Sequence, residues 1–195
     1  MTNNNIEELF DMQASQYDFP YHYIPDGTPL CYEDLIQMRG LGWGAEYLSV
    51  LDKVASIASE KSVENILDAG CGDGRLVGRL RKLGFQNEYH GVDLVKSAIN
   101  FAKAFNPKEN FECNSLENIS DLFDCVTLIE VLEHIPDEEV PKFMKIICEK
   151  FKSNGVLILT VPSDVRPVNK KHFRHYDKDL VINTLEDCGL KIENI

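Results

Sequence analysis

The stretch "ILDAGCGDGRL", Ile66–Leu76, sets Gly70, Gly72 and Gly74 on alternate positions just after an acid, Asp68. Glycines spaced like this open left-handed conformations to the backbone and let a ligand lie against it without meeting a Cβ. Two common nucleotide loops do not fit. The dinucleotide fingerprint G-x-G-x-x-G needs a glycine where Arg75 stands, and no Gly-Lys-Ser/Thr ending follows to make a phosphate loop. Roughly twenty residues further on comes Asp93, an acid able to accept from both hydroxyls of a ribose. A glycine loop and a ribose acid with no strong phosphate site point to a nucleoside ligand.

A second set of groups could carry the reaction. In "EVLEH", Glu130, Glu133 and His134 share one face if the stretch is helical, at i, i+3 and i+4. An imidazole suits general-base work near neutral pH, which makes His134 and His172 the catalytic candidates. His90 precedes the buried end of an expected strand and reads as structural. In "KKHFRHYDKDL", Lys170, Lys171, Arg174 and His172 form a local positive patch suited to a carboxylate, a phosphate or a sugar nucleotide. The competing reading is a solvated loop that caps the next helix through Asp177. Spacing leaves open which of His172 and His175 faces a site.

The elements that must hold these groups follow from the apolar pattern. From Val63 onward, strands are expected at 66–69, 89–94, 110–113, 123–129 and 156–161, with an incipient one at 191–195. Helices are expected at about 44–58, 74–83 with Gly84 as its stop, 96–105, from an Asp137 cap to Phe151, and 178–188 with Gly189 beyond it. Strands and helices alternating at this spacing predict a doubly wound α/β domain whose mostly parallel sheet is covered on both faces. Ligands of such sheets sit beyond the carboxyl ends of the strands, where the glycine loop falls. Residues 1–43 differ: Tyr17, Phe19, Tyr21, Tyr23 and Tyr32 crowd around Pro20, Pro25 and Pro29, and two glycines flank Trp43. This arm reads as a lid over the site or as core cover, within one domain spanning 1–195 whose ligand-binding core is 63–195.

"LDAGCGDG", "GVDL" and "FDCVTLIEVLEHIPD" resemble the motifs of class I S-adenosylmethionine (SAM)-dependent methyltransferases. The ubiquinone-pathway O-methyltransferases and related small-molecule enzymes are the most similar subgroup, over roughly 63–195. The resemblance implies a Rossmann-like sheet ordered 3-2-1-4-5-7-6, SAM as donor and S-adenosylhomocysteine (SAH) as product. It places the amino-acid end of SAM on Asp68, Gly70, Cys71, Gly72 and Gly74, the ribose on Asp93 and the adenine beside Leu94. Ile129 and Glu130 would lie along the cofactor. After the third strand, where the family often has an acid for the adenine amine, this chain has Ser115 followed by Leu116. Arg39 is a weak match to an arginine that meets the SAM carboxylate in the ubiquinone enzymes. The sequence stops at the sixth expected strand, which implies either a truncated chain or a sheet short at one edge.

In that subgroup, and in RNA 3′-end methyltransferases, an E-x-x-E-H cluster binds a divalent metal near the acceptor. Many relatives keep the motif without a metal. The favoured reading here assigns none: Glu133 and His134 order the loop while Glu130 faces SAM. The resulting expectation is methyl transfer to an oxygen or nitrogen of a small molecule, an anionic one if the basic patch reads it. The alternatives are an RNA 3′-end-type methyltransferase and a non-catalytic SAM-binding module.

Composition narrows the field. Of 195 residues, 20 are Lys or Arg and 32 Asp or Glu, a formal charge of −12, which opposes a broad nucleic-acid surface or a polybasic membrane patch. No apolar run approaches the length of a membrane span, and Met1–Glu8 has no leader features. Six scattered cysteines without a CxxC pair read as reduced thiols of a cytoplasmic protein. Nothing in the sequence sets an oligomeric state.

Overall fold

Side chains on a strand alternate between its faces, and β1 (Asn65–Ala69) uses both. Ile66 joins one buried apolar cluster, while Leu67 and Ala69 join another. In β4 (Phe123–Ile129), Cys125 and Ile129 belong to the first cluster and Val126 and Leu128 to the second. A strand apolar on both faces must be central and covered twice. The computed structural model, which describes residues 3–18, 20, 22, 41–61, 63–168 and 170–195, has this arrangement.

Five parallel strands stand in the order β3-β2-β1-β4-β5, with β2 at Glu88–Asp93, β3 at Asn110–Cys113 and β5 at Phe151–Thr160. α1 is Asn3–Ala14 and precedes the sheet. α2 (Leu41–Glu60), α3 (Arg75–Lys82) and α4 (Lys96–Phe105) supply Leu51, Leu80 and Ile99 to the first cluster. α5 (Val140–Cys148) supplies Met144 and Ile147 to the second, and Leu180 and Leu185 of α6 (Lys178–Glu186) pack against it. Strand order reverses between β1 and β4, so a crevice opens beyond their carboxyl ends.

Three expectations are corrected. Lys191–Ile195 is not a strand. In the expected order the sixth strand pairs only with the seventh, and no seventh strand exists among the described residues, so the segment has no ladder partner. Glu193 instead forms an exposed ion pair with Lys61. The helix placed from Asp137 to Phe151 is shorter: α5 starts at Val140 with Pro141 in its first turn, where a missing N–H costs nothing. Asp137 is drawn away to Arg174, whose Nε donates to its Oδ1 at 2.6 Å. The strand expected at 156–161 begins at Phe151, because Phe123 N donates to Lys150 O at 2.8 Å and the β4–β5 ladder starts there, with a register shift before Cys125.

Gly74 begins α3 at φ 76°, and a Cβ there would stand 2.9 Å from Phe111 Cζ and 3.0 Å from Ala102 Cβ. Its missing side chain lets α3 approach β3 and α4.

Candidate active site

The crevice is a cleft of about 1100 Å³. That is at the upper end of the roughly 300–1,000 Å³ of small-ligand sites, with room for two ligands side by side. The expected catalytic residues His134 and His172 line it, as do all the expected cofactor-binding residues from Asp68 to Glu130 except Gly74. At one end, Gly70 and Gly72 turn the chain after β1 at φ 78° and 54°. Asp93, at the end of β2, accepts from Gly72 N at 2.9 Å and from Val95 N at 2.8 Å. Burial raises its pKa against the N–H groups of Val95, Gly72 and Leu94 and the neighbouring His22. Leu94 is 60% exposed beside it, with Ser115 and Leu116 also on the wall.

Asp68 is more enclosed. Thr127 Oγ1 donates to one of its oxygens at 2.7 Å and Tyr89 Oη to the other at 2.5 Å, while burial pushes its pKa up to about 6. Cys71 is a buried free thiol, raised well above its ordinary pKa by burial, and is chemically inert in that state.

The N-terminal residues lie across this loop. Tyr17 is buried, and a Cβ on Gly72 would meet its Oη at 2.4 Å. His22 N donates to Asp73 Oδ2 at 3.1 Å, its Nδ1 lies 2.9 Å from Oδ1, and its ring stacks on Tyr47 at 4.7 Å. By sequence, Asp73 has a place only within the Gly70–Gly74 loop implied for the amino-acid end of SAM, and His22 has no role. Of the other arm residues, Phe19, Tyr21, Tyr23, Pro25, Pro29, Tyr32, Arg39 and Cys31 lie outside the described residues, as does the Trp43 side chain.

The other end of the cleft is built by the turn after β4. Glu130 has φ 53°, a left-handed conformation that is uncommon for a residue with a Cβ and marks a locally constrained site. Its N donates to Thr160 O at 3.1 Å and its Oε1 accepts from Thr160 Oγ1 at 3.0 Å. The expected helical face of "EVLEH" is corrected: only a 3₁₀ turn forms, Leu132–His134, because this backbone reversal separates Glu130 from it. Glu133 is 1% exposed, and its Oε2 has no hydrogen-bond partner among the described residues. Burial, then the charge of Glu130, push its pKa up to about 8.

His134 Nδ1 lies 3.2 Å from Lys171 O. A carbonyl only accepts, so Nδ1 carries the proton and Nε2, 3.8 Å from Glu133 Oε1, carries the lone pair. The His172 ring stands edge-on to His134 at 4.8 Å. Glu133, His134 and His172 each offer a donor atom within 4.8 Å of the others. Burial first, then neighbouring positive or imidazole charge, push His134 down to about 4 and His172 to about 3. Imidazoles this hard to protonate are weak bases near neutral pH and stay in the neutral, ligating form.

His172 therefore lines the cleft and His175 stands behind it, with His172 Nδ1 2.8 Å from His175 Nε2. His90 is buried edge-on to Phe123, away from the site. The basic patch is partly spent: Arg174 serves Asp137, and Lys171 Nζ donates to Gln16 Oε1 at 2.9 Å. Asp177 caps α6 by accepting from Leu180 N at 2.7 Å. Among the described residues, no helix is long and apolar enough to cross a membrane.

Residues 43–190 match the model of a methyltransferase domain family. The mitochondrial ubiquinone biosynthesis O-methyltransferase of Saccharomyces cerevisiae is 36% identical over 78 aligned residues, 36% of this chain and 25% of that protein. The Rickettsia bellii ubiquinone biosynthesis O-methyltransferase is 31% identical over 117, covering 57% and 47%. The chain thus spans between a quarter and about half the length of these curated relatives. Magnesium protoporphyrin IX methyltransferase from Synechocystis, solved with SAM bound, superposes with a TM-score of 0.73 at 17% identity over 100% of this chain and 89% of that one. A SAM-dependent methyltransferase from Archaeoglobus fulgidus gives 0.60 at 19%, over 72% and 68%.

Proposed function

Because this chain belongs to the class I SAM-dependent methyltransferase family, we propose that it transfers a methyl group from SAM to an oxygen or nitrogen of a small molecule. The observation that carries this reading is one cleft holding the glycine loop and Asp93 at one end and Glu133, His134 and His172 at the other. When bound, SAM supplies a methyl group on a sulfonium, with its leaving group already in place. Gly70 and Gly72 would cradle its amino-acid end, Asp93 would hold the ribose hydroxyls and Leu94 would lie beside the adenine. Tyr17 and the His22–Asp73 contact lie against the loop, where they would help to keep water from the reacting carbon. Asp93→Ala is expected to weaken SAM and SAH by about 1–3 kcal/mol. Calorimetric titration with SAH checks this, and unchanged affinity removes Asp93 from the cofactor site.

The Glu133, His134 and His172 side chains suit a divalent cation. A buried carboxylate oxygen without a partner and neutral imidazoles are a fitting donor set, which Mg²⁺, Mn²⁺ and Zn²⁺ use to differing degrees. Such an ion would lower the pKa of an acceptor hydroxyl beside it. Lys171, whose charge acts on all three residues of this cluster, adds to an environment that favours an ionised acceptor oxygen. With Arg174 engaged elsewhere, an anionic acceptor is held chiefly from this end.

The test is a screen of anionic and hydroxylated small molecules, sugar nucleotides included, against the SAH-bound protein, with and without Mn²⁺. Ligands that bind only the folded state raise the melting temperature by mass action. Hits are then incubated with methyl-labelled SAM. The expected result is a hit that becomes labelled and whose binding weakens in Lys171→Glu. Failure of SAH itself to stabilise the protein overturns the methyltransferase reading. A second reading rests on His172 joining "EVLEH", the feature shared with RNA 3′-end enzymes; labelling of RNA ends in the same assay would favour it.

A further inference from the structure

We infer that His175 is a positioning residue: through a relay of tautomers it makes His172 present an unprotonated Nε2 to the Glu133–His134 cluster. His175 Nδ1 lies 3.1 Å from Arg166 O. The oxygen cannot donate, so in the neutral ring Nδ1 carries the hydrogen and Nε2 is left as an acceptor. That Nε2 lies 2.8 Å from His172 Nδ1, which must therefore be the donor. His172 then has its lone pair on Nε2. The carbonyl of Lys171 sets His134 the same way, with Nε2 unprotonated. Two carbonyls, one acting directly and one through His175, thus leave the lone pairs of both imidazoles on Nε2; that of His134 lies 3.8 Å from Glu133 Oε1, and His172 has a donor atom within 4.8 Å of the other two residues' donor atoms.

The frame holding this relay is fixed at several points. Phe173 N donates to Glu133 O at 2.8 Å, tying the histidine loop to the turn that carries Glu133 and His134. Tyr176 N donates to Pro162 O at 2.9 Å and Asp164 N to Tyr176 O at 3.1 Å, which anchor the segment after β5 beside His175. Arg166 is itself held, its N donating to Ser163 O at 3.1 Å and its guanidinium paired with Glu46. Groups that hold the far nitrogen of a ligating histidine set its tautomer and its donor strength, and their loss commonly costs 10–100-fold in metal affinity.

The inference rests on the cation reading above for its purpose, but its test begins without a cation. Long-range ¹H–¹⁵N correlation spectra of the metal-free, ¹⁵N-labelled protein report which nitrogen of His172 is protonated. The expected result is hydrogen on Nδ1, retained in His175→Gln, whose carboxamide oxygen can replace the acceptor, and lost or mixed in His175→Leu. Co²⁺ affinity, read from its visible absorption, should fall roughly 10–100-fold in His175→Leu and much less in His175→Gln. SAH affinity should stay unchanged in both, showing that each variant is folded. A wild-type His172 protonated on Nε2, or a tautomer indifferent to His175→Leu, overturns the relay. Correct tautomers together with no Co²⁺ binding to the wild type would uphold the relay and overturn the cation reading instead.

Discussion

Gly72→Val is expected to abolish SAM binding, with a loss of at least about 100-fold, or about 2.7 kcal/mol, while the five-stranded sheet stays folded. Two effects combine. Gly72 sits at φ 54°, where a β-branched residue is a true outlier and the strain is about 1–3 kcal/mol. A Cβ there would also lie 2.4 Å from Tyr17 Oη and 3.5 Å from the His22 ring. The loop and the arm above it cannot both keep their places. A shift of the loop moves Gly72 N away from Asp93, whereas a shift of the arm uncovers the loop. Calorimetry with SAH measures the loss, and far-UV circular dichroism checks the fold. Adding Tyr17→Phe to Gly72→Ala separates the effects: recovered affinity would assign the loss to the displaced arm, and continued loss to the backbone. A valine variant that binds SAH normally would show that the loop is not the cradle.

Glu133→Gln is expected to lose at least about 100-fold in divalent-cation affinity, as an ionised ligand becomes a neutral amide, yet to make the cation-free protein more stable at alkaline pH. The sign follows from the shift. Burial and Glu130 raise the Glu133 pKa from 4.5 to about 8, so between those values the folded chain holds a proton that the unfolded chain has released. Stability from this group is full below pH 4.5 and declines as pH rises through about 8. Glutamine has no such titration, so the variant's advantage should grow across that window to on the order of 1–3 kcal/mol. Urea unfolding at pH 5 and pH 8 measures it, with chelator present. An advantage that does not grow with pH would mean that Glu133 is ionised throughout and already satisfied. A residue whose removal stabilises the fold while disabling a site is held there for the site.

Much of this organisation was legible in the residues alone. Apolar runs bounded by glycine and proline located all five strands, and α4 and β3 fall at their expected bounds, because period and turn chemistry act over a few residues. The glycine loop and Asp93 were also readable as a pair. Parallel pairing places the ends of β1 and β2 side by side, so their roughly twenty-residue separation is itself a structural signal. The limits appear where a local rule meets a distant partner. Asp137 is a sound helix cap by sequence, but Arg174, 37 residues away, takes its carboxylate. Lys191–Ile195 has a strand-like composition but pairs with no strand among the described residues.

The choice between His172 and His175 has the same character. Their spacing is equal on either assignment, and it is settled by Arg166 O behind one ring and His134 beside the other. His22 reaches Asp73 across 51 residues, and Lys171 reaches Gln16 across 155. Such partners meet because the strand-order reversal at β1 and β4 brings the arm, the glycine loop and the post-β5 loop to one crevice. Short-range pattern sets which elements form and which faces they bury; the identity of a proton's partner depends on chain segments that only the packed sheet brings within 3 Å or so of each other.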